Sequence, residues 1–141
     1  MDTLLGDAGN DYLEGAIIVE PNGLDTDEAD TLYGGDGDDL LSLGTGDLGT
    51  GGLGMDTFET GTWVNGPAPV INDYVSEDDQ IVVNYDASVT PDPTLEVNSV
   101  TDGGETYASI TLDGLEVVRV VLYGGDPAPD VSEIALVATN W

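Results

Sequence analysis

The chain contains neither cysteine nor histidine. The first absence excludes disulfides and thiolate metal sites. The second removes the commonest general base and the commonest transition-metal ligand. With them go Ser-His-Asp catalysis and the HExxH motif of metalloproteases. Basic residues are almost as scarce: Arg119 stands alone against 29 acids, for a net charge of −28 over 141 residues. Nucleic acid and anionic membranes both demand a basic surface, so they are excluded as partners and cations are favoured. No apolar run is long enough to cross a bilayer, and Val117 to Tyr123 is among the longest. The segment MDTLLGDAGN lacks the basic-then-apolar order of a cleavable signal peptide.

What is present is periodic. The pattern Asp-x-apolar recurs at Asp2, Asp11, Asp30, Asp39 and Asp56, in steps of 9, 19, 9 and 17 residues. The period is nine, and the long steps read as double periods with a residue gained or lost. In this reading Gly15 to Gly23 is a degenerate member with Glu20 in the aspartate slot, and Leu43 to Thr50 is a short one with Asp47 near the slot. Glycines precede the aspartates at fixed offsets. GDAGNDYLE (Gly6 to Glu14), GGDGDDLLS (Gly34 to Ser42) and GGLGMDTFE (Gly51 to Glu59) all fit G-G-x-G-x-D-x-U-x, where U is a large apolar residue; Asp7 replaces one glycine. A solvated acidic linker would not keep such a register.

Glycine reaches positive φ, so a short turn can curl its carbonyls inward. The D-x-U segment suits a brief strand whose apolar residue enters a core. Two nonapeptides then make one coil of a flattened helix, and residues about eighteen apart lie above one another. The expected stacking sets Asp11 under Asp30 and Asp39 under Asp56, with Asp2 and Glu20 lower in the second column. Leu4, Leu13, Leu32, Leu41 and Phe58 should line the core. Unit charges about 4 Å apart repel by about 4 kcal/mol at an effective dielectric of ~20. Stacked carboxylates therefore call for a cation, and calcium, which takes 6–8 oxygen ligands, suits carboxylates and carbonyls better than magnesium does.

These repeats resemble the repeats-in-toxin, or hemolysin-type, calcium-binding nonapeptides over residues 1 to about 59. The resemblance implies an all-β fold: a parallel β-roll over 1–59 with calcium between its turns, then a β-rich antiparallel capping region over 60–141. It implies calcium ligands at Gly34, Gly35, Asp36, Gly37 and Asp39, and at Gly51, Gly52, Leu53, Gly54 and Asp56. On the other edge it implies Gly6, Ala8, Gly9 and Asp11 facing Asp25, Asp27 and Asp30. Breaks at Glu20–Pro21 and at Leu43 to Thr50 reduce the expected load to two to four ions. The carboxylates of Asp11, Asp30, Asp39 and Asp56 are the principal candidates.

Beyond Glu59 the glycine register stops. Gly66 to Pro69 reads as a loop. β-branched segments follow without helical periodicity, and TDGGE at Thr101 and the Asp113–Gly114 pair read as hairpin turns. GMDTFE, VINDY and EDDQIVV are similar to the end of the repeat array in secreted serralysin-like proteins, with Asp73 and Asp79 at matching acidic positions. In that family the region is a folding cap and an uncleaved C-terminal signal for bacterial type I export. The resemblance thus implies a secreted, extracellular protein that meets the type I secretion machinery and folds on binding extracellular calcium. Met1 precedes Asp2 as Met55 precedes Asp56, as in a chain that begins inside a longer run of repeats. Other readings are an export module covalently linked to the catalytic domain of a larger enzyme such as a protease, and a calcium-dependent glycan-binding or adhesive module using Trp63, Trp141 and tyrosines. An Asp78–Asp79 catalytic dyad is the weakest reading, and the expectation is a non-enzyme.

Overall fold

The computed structural model describes residues 1–19, 23–124 and 126–139, and the chain is all-β apart from one 3-10 turn at Val131–Glu133. The Glu20 slot, Pro21 and Trp141 lie outside the described residues. Strands of the repeat region are β1 (Thr3–Leu5), β2 (Tyr12–Glu14), β3 (Ile18–Val19), β4 (Leu24–Asp25), β5 (Thr31–Asp36), β6 (Leu40–Ser42), β7 (Leu48–Leu53) and β8 (Thr57–Gly61). Those that follow are β9 (Val70–Ile71), β10 (Gln80–Asp86), β11 (Leu95–Asp102), β12 (Glu105–Leu112), β13 (Leu115–Leu122) and β14 (Ile134–Thr139).

Successive D-x-U strands alternate between two sheets. One sheet runs β1-β5-β7-β9-β13-β12-β11, the other β14-β10-β8-β6-β2, and both are open at their edges. Because every coil repeats the same strand direction, the pairs from β1 through β9 and from β2 through β14 are parallel. Inward positions of the sheets face one another, so Leu32, Leu41, Phe58, Ile71 and Ile81 are all fully buried in one cluster with Leu13. Leu4, nearer the outer edge, is partly buried against it. Gly49 occupies an inward position of β7 where Leu43 and Phe58 already fill the space that a side chain would need.

The register corrects the expected stacking. Thr3 pairs with Thr31 and Tyr12 with Leu40, a step of 28 residues. The next coil advances by 17, Thr31 to Leu48 and Leu40 to Thr57. Asp11 therefore lies in line with Asp39 and Asp56, not beneath Asp30, and Asp2 belongs with Asp30 instead. The 19-residue step is not a pair of repeats. It is a single turn enlarged by an excursion that carries the short antiparallel pair β3–β4.

The second half is only partly the antiparallel structure expected. β11, β12 and β13 form an antiparallel meander. Its tight turns use Gly103 and Gly104 (φ 61° and 85°) and Asp113 and Gly114 (φ 51° and 84°), the doubly positive pattern that matches strand twist. β9, β10 and β14, however, pair in parallel and prolong both sheets without a break at residue 59. The reason is geometric: β8 exposes a parallel edge, and β10 satisfies it as another coil would, with Gln80 beside Thr57.

Candidate metal centre

The aspartates form two ladders, one on each edge of the stacked coils. On the first edge, the Asp11 N–H donates to Asp39 Oδ1 (2.8 Å), the Asp39 N–H to Asp56 Oδ1 (3.0 Å) and the Asp56 N–H to Asp79 Oδ1 (3.0 Å). The carboxylates of Asp39, Asp56 and Asp79 thus each spend one oxygen holding the coil before them. The other oxygen of Asp11, Asp39 and Asp56, in each case Oδ2, is buried with no hydrogen-bond partner. Asp39 and Asp56 are 2% and 1% exposed. A buried acceptor left unmade costs about 1–3 kcal/mol, and more when it is charged. Three such oxygens lie in one column.

The glycine turns explain where those oxygens point. A methyl group on Gly6 would meet both Asp11 Oδ2 and the Gly34 carbonyl oxygen; on Gly34 it would meet Asp39 Oδ2 and the Gly51 carbonyl oxygen. The open face of each glycine is thus where the free carboxylate oxygen and a carbonyl from the next coil converge. Gly35, Gly37, Gly52 and Gly54 have φ of 110°, 131°, 103° and 129°, and each is crowded by a carbonyl of the coil beneath. Only glycine combines that backbone with that approach.

Gly34 to Asp39 and Gly51 to Asp56 are brought together on this edge, and Gly6, Ala8, Gly9 and Asp11, expected on the other edge, join them. Gly6, Ala8 and Gly9 underlie Gly34 to Gly37: the Gly9 N–H donates to the Asp36 carbonyl (2.8 Å), and Ala8 bridges Asp36. Gly35 and Asp36 underlie Gly52 and Leu53, and the Gly37 N–H donates to the Leu53 carbonyl (2.8 Å). The carbonyls of Asp36 and Leu53 hence already carry one hydrogen bond each. Among the described residues no three acidic side chains converge on one point. That follows from the architecture, which supplies one carboxylate per coil and leaves the remaining oxygens to the backbone.

Asp25, Asp27 and Asp30 do not face Gly6 to Asp11 as expected; the 28-residue coil puts them on the opposite edge. There the Asp2 N–H donates to Asp30 Oδ1, and the Asp30 N–H to Asp47 Oδ1 (2.7 Å). Asp47 Oδ2 accepts from the Gly44 N–H (2.7 Å). Asp25 accepts from the N–H groups of Ile17 (2.9 Å), Asp27 (3.1 Å) and Thr45 (2.6 Å). Asp27 Oδ1 accepts from the Glu28 N–H (2.8 Å). Burial pushes the Asp47 carboxyl up to about 6, against its bonds from Gly44 and Asp30 and helped by the charges of Asp30 and Asp25.

Two roles escaped sequence reasoning. Asp73 receives the N–H groups of Gly51 and Gly52 (both 2.8 Å), and Asp79 Oδ2 receives that of Val75 (2.9 Å). These residues terminate the last glycine turn and leave Asp79 no free oxygen for a catalytic dyad. Burial raises the Asp79 and Asp56 carboxyls; backbone bonds oppose it, and neighbouring acids add to it. Trp63 is buried and its indole N–H donates to the Leu43 carbonyl (2.9 Å), so its ring is not an open sugar platform.

No family model matches the chain, and no curated protein matches it in sequence.

Proposed function

We propose that the protein is a calcium-binding β-roll module whose folding is driven by the ion. One observation carries the reading: Asp11, Asp39 and Asp56 stack in one column, each with a buried, unpartnered Oδ2 beside a glycine turn. The donor set is all oxygen, carboxylate plus carbonyl, which suits a hard divalent cation. Gly6 to Asp11, Gly34 to Asp39 and Gly51 to Asp56 would hold it. Bound calcium supplies positive charge that neutralises the column. The chain's own residues do the rest: glycines clear the space, the aspartate Oδ1 atoms fix the spacing of the coils, and Leu41 and Phe58 bury the strands between turns.

Binding energy at such a site is folding energy. Where calcium is scarce the column repels itself and the coils separate. At millimolar calcium, the range of extracellular modules, mass action restores them. This suits a secreted protein exported unfolded through a type I channel by a C-terminal signal, acting as a binding module rather than an enzyme. Far-UV circular dichroism during a calcium titration of the chelator-stripped chain, repeated with magnesium, tests the reading. A cooperative gain of β-structure with calcium and none with magnesium is expected. A chain already folded and indifferent to calcium would overturn it.

A further inference from the structure

The two edges of the coils are chemically unlike, although both carry a column of aspartates. On the first edge the oxygen that reaches each glycine face is free: Asp11 Oδ2 at Gly6, Asp39 Oδ2 at Gly34, Asp56 Oδ2 at Gly51. On the second edge the equivalent oxygens of Asp47 and Asp25 are taken. Asp47 Oδ2 fills the open face of Gly15 while accepting the Gly44 N–H, and Asp25 Oδ2 fills that of Gly44 while accepting the Thr45 N–H. Both remaining oxygens of these two residues are bonded as well. Among the described residues, no aspartate of the second edge has a buried oxygen without a partner. The turn there, Leu43 to Asp47, is shorter and lacks the G-G-x-G run whose carbonyls line the first edge.

Resting on the calcium reading, we infer that this chain loads divalent cations along one edge only, and that carboxylate-to-amide bonds alone hold the other. The number of sites follows from the oxygens. A free carboxylate oxygen meets the carbonyl of the next coil at two levels, Asp11 with Gly34 and Asp39 with Gly51. At the third level no glycine turn follows: residues 73–79 contain no glycine, and Asp73 and Asp79 close the turn by accepting the Gly51 and Asp56 N–H groups. The expected load is two ions. Asp25 and Asp47, with both oxygens bonded to amides, need no cation to keep their places.

Native mass spectrometry of the intact chain in excess calcium counts the ions directly, and two variants place them. Asp30→Asn keeps an oxygen for the Asp2 N–H and removes the charge; it should still bind two ions. Asp39→Asn removes the charged oxygen of the second level and should lose at least one ion. Four ions on the unaltered chain, or a loss on Asp30→Asn, would overturn the one-edge assignment and leave the calcium reading standing. If Asp30→Asn fails to fold, the count on the unaltered chain decides. No bound calcium at all would overturn both.

Discussion

Asp39→Asn should have opposite effects with and without calcium. Asp39 is 2% exposed, and its ladder neighbours Asp11 and Asp56 sit one coil away on either side. Parallel strands lie about 4.8 Å apart, and unit charges at that distance repel by about 3 kcal/mol at an effective dielectric of ~20. Asparagine is isosteric and keeps an oxygen for the Asp11 N–H, so the ladder bond survives. In chelator, where the unaltered column drives the coils apart, the variant sheds about 3 kcal/mol of repulsion from each of two neighbours, so it should keep β signal that the unaltered chain lacks. In saturating calcium the same change removes a charged ligand, and stability should fall below that of the unaltered chain. Circular dichroism of both proteins in chelator, and their urea unfolding in calcium, read the crossing. A loss of stability in calcium with no gain of signal in chelator would mean that the carboxylate is only a hydrogen-bond acceptor. No change in either would mean that the column carries no electrostatic load.

The titration of buried acids gives a second prediction. Carboxyls raised by burial, Asp47 to about 6 with Asp56 and Asp79 also raised, favour the folded chain only while protonated. Their contribution is complete below the ordinary carboxylate range and is lost as pH rises through their raised values, about 6 for Asp47. Cation-free protein should show more β signal at the acid end of that window than at neutrality; an equal signal at both would defeat the argument. Gly52→Ala puts a side chain at φ 103° against the Gly35 carbonyl of the coil below, where strain alone costs roughly 1–3 kcal/mol, so calcium-induced β signal should need more calcium or be lost. Gly103→Ala, with open space around it and φ 61°, should cost only about 1–2 kcal/mol and leave the calcium midpoint unmoved. Phe58→Ala empties a fully buried site of the core and should lower stability in calcium by about 3–5 kcal/mol, measured by thermal unfolding.

The nine-residue register was legible because it repeats physical requirements: glycine where φ is positive, aspartate where one coil grips the last, leucine where the sheets meet. Strand positions and core leucines of residues 1–59 follow from it, and the two hairpin turns were legible from their own Gly-Gly and Asp-Gly pairs. The stacking order did not. A step of 19 residues looks the same whether it holds a degenerate repeat or a loop, and only tertiary pairing separates them. The warning signs were local: between Gly15 and Gly23 the sequence has no glycine and does have Pro21. Parallel pairing of β9, β10 and β14 was also hidden, since a parallel strand needs no neighbouring turn and so leaves no local signature. Asp73 and Asp79 were visible as acids, but their task of closing a turn depends on backbone N–H groups more than twenty residues away.

Coils of 28 and 17 residues stack with no loss of register. The winding, then, counts strands and not contour length. What must be conserved from one lap to the next is the pair of short rungs and the aspartate that clips each to the rung above; the arc between them is free to grow. The arc from Gly15 to Ala29 shows this on the amide-bonded side, away from the glycine turns. A foreign peptide spliced into that arc would ride on the edge of the spool without unwinding it.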